Sequence, residues 1–600
     1  MSKRTQRIVA DFETTTDPND LRVWAVCAVD IDTLETVYMG NNVADFFEWL
    51  KNKNVKCWYH NLKFDGEFLL PFILKELDYK YDPKEPRKPR KPGTFDTLIT
   101  EDGQFYYIEV IFDVKGKQYK KVIFYDSLKK LPFKVSEIAK AFKLKDCKLS
   151  IDYDAPRPVG HILTPEEEEY IVADCRIVAA ALQIQFAEGL DRMTIASDAF
   201  HWYKKLVGEN AFKRQFPVFP LELDTNIRKA YKGGFVYLKP EHKNKRGLQG
   251  ITLDVNSLYP WVMYECALPC SYPVYFEGEP DWNDDDYPLF IAQLECTFEL
   301  KPGYIPTIQL KGSSRFVQTE YVTSSKVKLN GKLVDEIVTL TLTSVDLKLF
   351  LEHYNVGNLR YISGFKFMEK DDMFKPYIDY WADIKAKETG AKRQIAKLML
   401  NSLYGRFATN PHRVQQVPKL DEEGVVRYPE ELDEEEYTDP IYTALACFVT
   451  AYAREKTIRS AQSVYDRFIY ADTDSLSLEG FDVPENLEIH PSRLGAWKHE
   501  GEWDDSVFIR AKTYMKTIHE QADTSLKSYA TALNTATRVK REKDHIDIWT
   551  EKVTCAGMPD NVKETVTYEN FKSGSTFNGK LIPRRYPGGV ILEETTFTII

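Results

Sequence analysis

Two acidic residues separated by one position, Asp472 and Asp474, lie between two short apolar runs. Residues 468–470 precede them and residues 476–478 follow, a pattern that predicts a β-hairpin with both carboxylates near its tip. Another acid, Asp254, ends a strand-like run more than two hundred residues earlier. A fold that uses these three acids together must therefore join distant parts of the chain.

The size and composition of the chain indicate several folded domains. Its 600 residues exceed what one hydrophobic core usually organises, and 43% hydrophobic with 28% charged residues is ordinary for a folded protein. The net charge of −11 argues mildly against a general nucleic-acid coat. It does not exclude an enzyme that holds DNA in a channel, since binding depends on where Lys and Arg lie.

The cysteines and apolar segments indicate a reducing compartment and no membrane span. The nine cysteines are scattered without zinc-ligand spacing. No segment approaches the roughly 18 apolar residues of a membrane helix, and the N-terminus lacks a signal-peptide core. We therefore expect a cytosolic protein that does not contact membranes.

Local patterns predict several elements. The first 190 or so residues alternate strand-like and helix-like segments, which indicates an α/β domain. Thr164, Pro165 and Glu167 fit the N-cap, N1 and N3 positions of a helix. Residues 395–404 have helical periodicity, and Gly405 is expected to end that helix. We expect loops in the Pro-rich basic segment 81–93 and the acidic segment 421–439.

A first group of acids is spaced for a shared metal site. Asp11 and Glu13 are two apart on a predicted strand and project to one face, and Tyr170 and Asp174 are four apart on a predicted helix. With Asp65, four converging acids could hold two divalent ions for phosphodiester hydrolysis. Oxygen ligands favour Mg²⁺ or Mn²⁺ over zinc. Each pair alone is weak evidence, because a solvated strand end also carries acids.

The order Asp-x-Glu, Asn-x-x-x-Asp and Tyr-x-x-x-Asp within one α/β domain resembles the 3′–5′ proofreading exonucleases of the DnaQ type. That resemblance implies that Asp11, Glu13, Asp65 and Asp174 ligate metal. It also implies that Tyr170 orients the attacking water and that Lys148 is a catalytic-site lysine. The residues that it implies as contacts of a frayed primer end are Thr14, Tyr59, His60, Asn61, Phe64, Ser127 and Leu128.

A second group of residues is suited to nucleotidyl transfer. Asp254 stands at a strand end, and Lys397, Asn401 and Tyr404 form one stripe of a predicted helix. Two metal ions need at least two acids, a lysine can neutralise a triphosphate, and an aromatic ring beside the sugar can exclude a 2′-hydroxyl. Helix packing alone could explain the stripe of Lys397, Asn401 and Tyr404, and a turn alone could explain Asp472 and Asp474. Neither explains why these patterns follow Asp254 in this order along the chain.

The second group resembles the three polymerase motifs of family B DNA polymerases: Asp-x-x-Ser-Leu-Tyr-Pro, Lys-x-x-x-Asn-Ser-x-Tyr-Gly and Tyr-x-Asp-Thr-Asp-Ser. The resemblance implies that Asp254, Asp474 and the Val255 carbonyl ligate metal, with Asp472 as a supporting acid. It implies two Mg²⁺ ions per active site, replaceable by Mn²⁺. The implied nucleotide-binding residues are Ser257, Leu258, Tyr259 (the sugar gate), Lys385, Lys397, Asn401 and Tyr404. The implied DNA contacts are Tyr231, Gly233, Gly234, Lys512 and Tyr514.

Within family B the chain most resembles the protein-primed phage enzymes of the small Bacillus-phage type, over essentially its whole length. The resemblance implies a multidomain α/β and α+β fold: a DnaQ-like exonuclease domain, then a right-hand palm, fingers and thumb with two insertions. The expected divisions are 1–194 exonuclease, 195–265 palm, 266–372 first insertion, 373–409 fingers, 410–439 second insertion, 440–555 palm and 556–600 thumb.

The branch also implies partners and properties. These are template and primer DNA, deoxynucleotides and a terminal protein that supplies the priming hydroxyl and contacts the first insertion. The second insertion would give processivity and strand displacement on a linear phage genome. We expect a monomer in the host cytoplasm. Segment 519–552 looks longer than the family pattern, and Trp58 and the basic loop also depart from it.

Four alternatives remain. A family B polymerase could start only from nucleic-acid primers. A reverse transcriptase usually has Asp-Asp rather than Asp-Thr-Asp at the hairpin. A free nuclease would use residues 1–190 and leave the later motifs without a role. A non-catalytic replication scaffold would be expected to lack acids at one centre, and all of them are present.

Overall fold

The computed structural model describes residues 5–84, 89–116, 118–153, 155–310, 320–329, 331–429 and 436–600. The centres of the two predicted loops, residues 85–88 and 430–435, lie outside the described residues. Around these gaps, residues 82–84 and 89–91 have no regular structure, as predicted, whereas the acidic segment contains short strands.

An eight-stranded mixed sheet with helices forms the N-terminal part of the chain. Its strands are β1 (Gln6–Thr14), β2 (Val23–Asp30), β3 (Thr36–Gly40), β4 (Asn54–Tyr59), β5 (Lys80–Tyr81), β6 (Thr94–Ile99), β7 (Phe105–Lys115) and β8 (Gln118–Asp126). The helices are α1 (Val43–Leu50), α2 (Leu62–Pro71), α3 (Val135–Phe142) and α4 (Pro165–Ala187). The strand order is β3-β2-β1-β4-β8-β7-β6-β5, and β4 runs parallel to both β1 and β8. The predicted α/β architecture is confirmed.

Helix α4 begins as its sequence predicts and packs against the first sheet. The Thr164 side chain accepts from the Glu167 amide, and the Glu167 carboxylate accepts from the Thr164 amide at 3.0 Å. By length and composition α4 could cross a membrane, but 61% of its most apolar stretch is buried within the protein. Its contacts with β1 and β2 identify it as a core helix.

The chain then forms helices and the first two strands of a second sheet. These elements are α5 (Ile195–Val207), α6 (Glu209–Gln215), α7 (Leu221–Arg228), β9 (Val236–Leu238), β10 (Gly250–Val255) and α8 (Leu258–Glu265). Ser257 has a positive φ of 56°, so the backbone turns sharply between β10 and α8.

Residues 268–370 form a separate four-stranded sheet, ordered β11-β18-β12-β17, with one helix and two small hairpins. Its elements are β11 (Leu268–Glu277), β12 (Leu289–Leu300), β13 (Gln309–Leu310), β14 (Glu320–Tyr321), β15 (Lys326–Leu329), β16 (Lys332–Asp335), β17 (Val338–Thr343), α9 (Ser344–His353) and β18 (Tyr354–Lys370). One side of this unit packs around its own core, which includes Phe298, Phe350 and Tyr354.

Two packed helices follow, then four very short strands. These are α10 (Lys375–Lys387), α11 (Gly390–Phe407), β19 (His412–Arg413), β20 (Lys419–Leu420), β21 (Val426–Arg427) and β22 (Glu436–Tyr437). The predicted end of α11 at Gly405 is wrong by one turn. The helix continues to Phe407 because that side chain is fully buried and anchors the last turn in the core. The predicted acidic loop is likewise wrong where β20 pairs with β21 and β19 with β22.

The chain then returns to complete the second sheet. The remaining elements are α12 (Thr443–Ser463), β23 (Phe468–Asp472), β24 (Ser475–Glu479), β25 (Trp497–Arg510), β26 (Thr513–Ala522), α13 (Leu526–Thr535), β27 (Arg538–Arg541), β28 (Ile546–Cys555), α14 (Asp560–Lys563), β29 (Thr576–Tyr586) and β30 (Gly589–Thr598). The sheet order is β27-β28-β26-β25-β10-β24-β23-β9, and β29 pairs with β30. The hairpin predicted around residues 471–475 is confirmed as β23 and β24.

One large apolar core joins the first sheet to the second. Residues of α4, such as Ile171 and Ile177, belong to the same buried cluster as Phe448 of α12 and Leu253 of β10. The C-terminal hairpin closes back on the first sheet, where the Arg585 guanidinium bonds the Glu67 carboxylate at 2.9 Å. The two groups of acids identified in the sequence are therefore carried by parts of the chain that share one core.

Candidate active sites

The first acidic cluster forms where β1 meets α2 and α4. Asp11 and Glu13 lie on β1, Asp65 lies in the first turn of α2, and Asp174 lies within α4. Glu13, Asp65 and Asp174 are each less than one-tenth exposed. The i, i+2 spacing on the strand and the helical positions thus bring the four predicted acids to one place.

Burial raises the pKa of each carboxyl group in this cluster, and repulsion by neighbouring acids adds to the shift for Asp11, Glu13 and Asp65. Burial is the larger cause for Asp11, with the charge of Asp174 second, and its pKa rises to about 7. Burial and then Asp11 raise the pKa values of Glu13 and Asp65, and burial raises that of Asp174. The Oδ1 atoms of Asp65 and Asp174 are buried without a hydrogen-bond partner among the described residues. Divalent cations would relieve this repulsion, so the donor set fits the predicted metal.

Lys148 supplies the nearest positive charge. Its Nζ bonds the Asp174 carboxylate and lies 3.4 Å from the Tyr170 hydroxyl. Burial opposes the charge of Lys148, but the contact with Asp174 outweighs burial and raises the pKa of the lysine. Over the described part of the chain, no three His, Cys, Asp or Glu side chains stand in a metal-holding arrangement.

Most of the predicted primer-end residues surround the same cleft. A cavity of about 480 Å³ is lined by Thr14, His60, Asn61 and Phe64, together with three of the four acids, Asp11, Glu13 and Asp174. Leu128 lies behind it, and its amide and that of Asn61 both donate to the Asp126 carboxylate at 3.1 Å. The cleft thus offers one surface beside the carboxylates on which an extended strand could lie.

Two predicted DNA contacts do not face this cleft. Tyr59 is fully buried among Phe12 and Phe124, so its side chain supports β1 from the core. Ser127 is also fully buried, and its Oγ lies 2.8 Å from His60 Nδ1. Both side chains therefore face inward in this structure, and the predicted contact of each with DNA stays a prediction.

His60 is held as a neutral ring. Its Nε2 lies 2.8 Å from the Phe133 carbonyl, which can only accept, so Nε2 carries the proton and Nδ1 accepts from Ser127. Burial lowers the pKa of His60, in agreement with a neutral imidazole.

The sequence missed two contributors to this cleft. The Tyr153 hydroxyl bonds the Tyr170 hydroxyl. Residues 590–592 of the C-terminal strand β30 also line the cleft. Nothing in their local pattern distinguishes these residues, because they reach the site from distant parts of the chain.

The second acidic cluster forms in the second sheet, where Asp254 on β10 lies beside the turn that joins β23 to β24. In the β10–β24 pairing, Asp254 stands opposite Ser475, and the Val255 amide donates to the Asp474 carbonyl at 2.7 Å. Burial and then the charge of Asp474 raise the pKa of Asp254 to about 7. Burial and then Asp472 raise the pKa of Asp474. As in the first cluster, the acids repel one another and would be stabilised by bound cations.

Several contacts hold the tip of the hairpin. Thr473 has a positive φ of 58°, and its amide donates to the Phe235 carbonyl at 2.6 Å. The Thr457 hydroxyl of α12 donates to the Thr473 carbonyl at 2.7 Å. The Lys512 Nζ lies 3.1 Å from the Asp472 carboxylate, and the role of Asp472 as a supporting acid stays a prediction.

Tyr470 also belongs to this site, although it was predicted only as part of the motif. Its hydroxyl donates to Asp472 at 3.2 Å and accepts from the Lys512 amide at 2.9 Å. Its ring packs beside that of Tyr514, with centroids 5.4 Å apart. Tyr470 thus connects the catalytic hairpin to the predicted Lys512 and Tyr514 contacts.

The predicted segment of Tyr231, Gly233 and Gly234 packs against the hairpin. A Cβ on Gly234 would lie 2.6 Å from Thr473 Oγ1, whereas no described atom lies within 4 Å of one on Gly233. Buried Arg454 donates to the carbonyls of Lys232 and Gly233 at 2.9 and 2.8 Å. The absence of a side chain at Gly234 therefore allows the hairpin to approach, a reason different from the predicted template contact.

Cations gather on the helices that face Asp254. The Lys385 Nζ donates to Ser257 Oγ at 2.8 Å. Burial, and then the charges of Arg393 and Lys397, lower the pKa of Lys385. Arg393 was not predicted, but it precedes Lys397 by four residues on α11 and so shares its face. The three cations repel one another and would be stabilised by a polyanion.

The predicted sugar-gate region contains a pair of stacked rings. Tyr259 and Tyr404 have centroids 4.2 Å apart and an interplanar angle of 25°. Asn401 is exposed on the same helix as Tyr404. Leu258 is buried, with 2% exposure, so its side chain does not line a binding surface and only its backbone at the start of α8 can do so.

Strand β25 adds two further charged residues that were not predicted. Lys498 stands opposite Asp254 and bonds Glu500 at 2.5 Å. Both charges act on Asp254: Glu500 raises its pKa and Lys498 lowers it. Their i, i+2 spacing on a strand was the available signal.

Comparison with known proteins identifies relatives over nearly the whole chain. A family model described as "DNA polymerase type B, organellar and viral" matches residues 48–168 and 157–490. The chain is 44% identical to the DNA polymerase of Bacillus phage M2 and 44% identical to that of Bacillus phage phi29, covering 98% of each pair of chains. It is 32% identical to the DNA polymerase of Streptococcus phage Cp-1, again over 98% of both.

Solved structures agree with the sequence relatives. The chain matches phi29 DNA polymerase complexed with primer-template DNA at a TM-score of 0.90 and 42% identity. It matches the same polymerase complexed with primer-template DNA and incoming nucleotide at a TM-score of 0.87 and 42% identity. In both cases the match covers 99% of this chain and 100% of the other.

Proposed function

The chain belongs to the type B DNA polymerases of organelles and viruses, and we propose how its two acidic clusters divide the work of such an enzyme. It is a DNA-directed DNA polymerase with 3′–5′ exonuclease activity. We assign synthesis to Asp254, Asp472 and Asp474, and removal of the primer end to Asp11, Glu13, Asp65 and Asp174. One observation carries this assignment: the fold brings Asp474, in the turn between β23 and β24, beside Asp254 on β10, 220 positions earlier in sequence, and the Val255 amide donates to the Asp474 carbonyl.

Synthesis is proposed to proceed where the acids, the cations and the primer contacts meet. Asp254, Asp474 and the Val255 carbonyl would hold two Mg²⁺ ions, which lower the pKa of the primer hydroxyl and stabilise the leaving phosphate. Lys385, Lys397 and Arg393 bind the triphosphate. Tyr259, braced by Tyr404, packs beside the sugar and excludes a 2′-hydroxyl. Asn401 faces the nucleotide from the same helix, and Lys512 and Tyr514 hold the primer end.

Degradation is proposed to use the cleft of the first sheet. Thr14, Asn61, Phe64 and Leu128 hold a single strand, with His60 fixed by Ser127. Tyr170 orients the attacking water through its hydroxyl, and Lys148 neutralises charge beside Asp174. The two predicted ions per site would be Mg²⁺, with Mn²⁺ as a substitute, because the ligands are carboxylates.

We also propose how the chain divides into regions and in what biological setting it works. The proposed regions are an exonuclease (1–194), the first part of the palm (195–265), the first insertion (266–372), the fingers (373–409), the second insertion (410–439), the second part of the palm (440–555) and the thumb (556–600). The four-stranded sheet of residues 268–370 supports the first insertion as a unit. We further propose protein-primed, processive, strand-displacing replication of a linear phage genome, with a terminal protein as partner, by a monomer in the host cytoplasm.

Two variants test the division of labour. Asp474→Ala is expected to abolish primer extension while 3′–5′ degradation of single strands continues. Asp11→Ala with Glu13→Ala is expected to show the reverse. Asp466→Ala is a matched control, since Asp466 is an exposed acid just before the same hairpin and should leave both activities intact. Extension by Asp474→Ala at the wild-type rate would contradict the proposed synthetic site.

Protein priming is tested separately. The polymerase is incubated with the phage's terminal protein, labelled dATP and Mg²⁺, and the products are separated by denaturing electrophoresis. A labelled terminal-protein adduct is expected. If no adduct forms while a DNA primer is extended, the alternative of a polymerase restricted to nucleic-acid primers is correct.

A further inference from the structure

Lys516 is a buried lysine in the second sheet to which the proposed mechanism gives no role. It lies on β26 and is 5% exposed. No carboxylate among the described residues lies within ion-pair distance of its Nζ, in contrast to Lys130, the buried lysine that pairs with Asp198. Burying a lysine amine without an acidic partner costs folding free energy, so stability alone does not explain it.

The side chain of Lys516 reaches across the sheet. Its Nζ donates to Thr252 Oγ1 on β10 and to Ser477 Oγ on β24, both at 2.9 Å. Strand β25 separates β26 from β10, and both β25 and β10 separate β26 from β24, so the lysine reaches past two intervening strands. It passes near the rings of Trp503 and Phe508, with Nζ 5.0 and 5.5 Å from their centroids. The side chain therefore links β26 to β10 and β24 by hydrogen bonds.

The residues that Lys516 contacts lie close to Asp254, and Lys516 itself lies close to the proposed primer contacts. Thr252 is two residues from Asp254 on β10, whose register with β24 is continuous, and Ser477 is two residues from Ser475, which faces Asp254. Residues two apart on a strand share a face. At the other end, Tyr514 is two residues from Lys516, and Lys512 begins the same segment. Lys516 thus connects the strands that carry the acids to the strand that carries the primer contacts.

We propose that Lys516 is a positioning residue that fixes the spacing between the primer-end contacts at the start of β26 and the acids Asp254, on β10, and Asp474, in the turn that precedes β24. This inference rests on the synthetic site proposed above. It concerns the alignment of the primer 3′-hydroxyl with the reacting phosphate, not the binding of the nucleotide. Burial and the charge of Lys552 lower the pKa of Lys516 to about 7, consistent with an amine held for its hydrogen bonds.

The test compares Lys516→Met with wild type in the full-length enzyme. Methionine keeps the length and packing of the side chain but cannot donate to Thr252 or Ser477. Loss of alignment by a fraction of an ångström should lower kcat for primer extension roughly tenfold, because a 1 Å misplacement costs about 10²-fold. The KM for nucleotide should change less than twofold, and on a primer-template the balance should shift from extension to degradation.

Three readouts separate positioning from a general structural role. Single-strand degradation by Lys516→Met should match wild type, and its Tm should not fall. Lys130→Met is the contrast, because it leaves Asp198 buried without its partner and should lower Tm. The inference is overturned if Lys516→Met extends primers at the wild-type rate, or if extension, degradation and Tm fall together.

Asp474→Ala, measured alongside, keeps this result distinct from the assignment of the synthetic site. If Asp474→Ala is inactive in extension and Lys516→Met is normal, only the role of Lys516 is wrong. If Asp474→Ala extends primers, the synthetic site itself is misplaced and the role of Lys516 falls with it.

Discussion

Replacing Gly234 by alanine should impair synthesis by displacing the catalytic hairpin. The added Cβ would lie 2.6 Å from Oγ1, 2.8 Å from Cγ2 and 3.1 Å from Cβ of Thr473. Ordinary contact needs about 3.4 Å or more, so the two segments must separate by close to 1 Å. Thr473 lies between Asp472 and Asp474 and is tied to Thr457 and Phe235, so the displacement is transmitted to both acids.

The expected size follows from that displacement. A shift of about 1 Å at reacting groups lowers a rate roughly 10²-fold, and overpacking of this kind costs about 1–3 kcal/mol of stability. Primer extension measured in single turnover should therefore fall by about two orders of magnitude. Degradation of single strands by the same preparation should be unchanged, since the first acidic cluster lies on another sheet.

Two further variants identify the cause of the loss. Gly233→Ala is the matched control, because its Cβ would meet no described atom within 4 Å, and it should extend primers near the wild-type rate. Thr473→Gly combined with Gly234→Ala removes all three crowded atoms at a position whose φ of 58° suits glycine, and should restore much of the activity. Normal extension by Gly234→Ala alone, or no recovery in the double variant, would refute the steric reasoning.

Three other outcomes are expected. The carboxyl groups of Asp254 and Asp11 have pKa values raised to about 7, so below that pH they are protonated and must lose a proton to bind metal. The Kd for Mn²⁺ measured by calorimetry should therefore rise as the pH falls from 8 to 6. A Kd that does not change with pH would contradict this reasoning. Lys385→Ala should raise the KM for nucleotide about tenfold, since it removes one of three clustered cations, and an unchanged KM would exclude that role. Arg585→Ala should lower the free energy of unfolding by about 1–3 kcal/mol, since the buried Glu67 carboxylate would lose the Arg585 guanidinium and keep the hydrogen bond from the Tyr428 hydroxyl, and an unchanged denaturation midpoint would show that this pair contributes nothing.

The local periodicity of the sequence was sufficient for much of both sites. The i, i+2 spacing of Asp11 and Glu13 and the i, i+4 spacing of Tyr170 and Asp174 placed each pair on one face once the element was known. The start of α4 followed from Thr164 and Glu167 because a capping box depends only on neighbouring residues. The end of α11 did not, since Phe407 extends that helix through burial in a core built from distant segments.

The sequence by itself therefore determined the α/β beginning of the fold, the hairpin of Asp472 and Asp474, and the identity of the acids, because these depend on residues a few positions apart. Only the tertiary structure decided that Tyr59 and Ser127 face inward, that Gly234 makes room for Thr473, and that Lys516 spans three strands. These features arise where segments tens to hundreds of residues apart are packed together. Burial, close approach and cross-strand hydrogen bonds are properties of that packing, and no local pattern of residues encodes them.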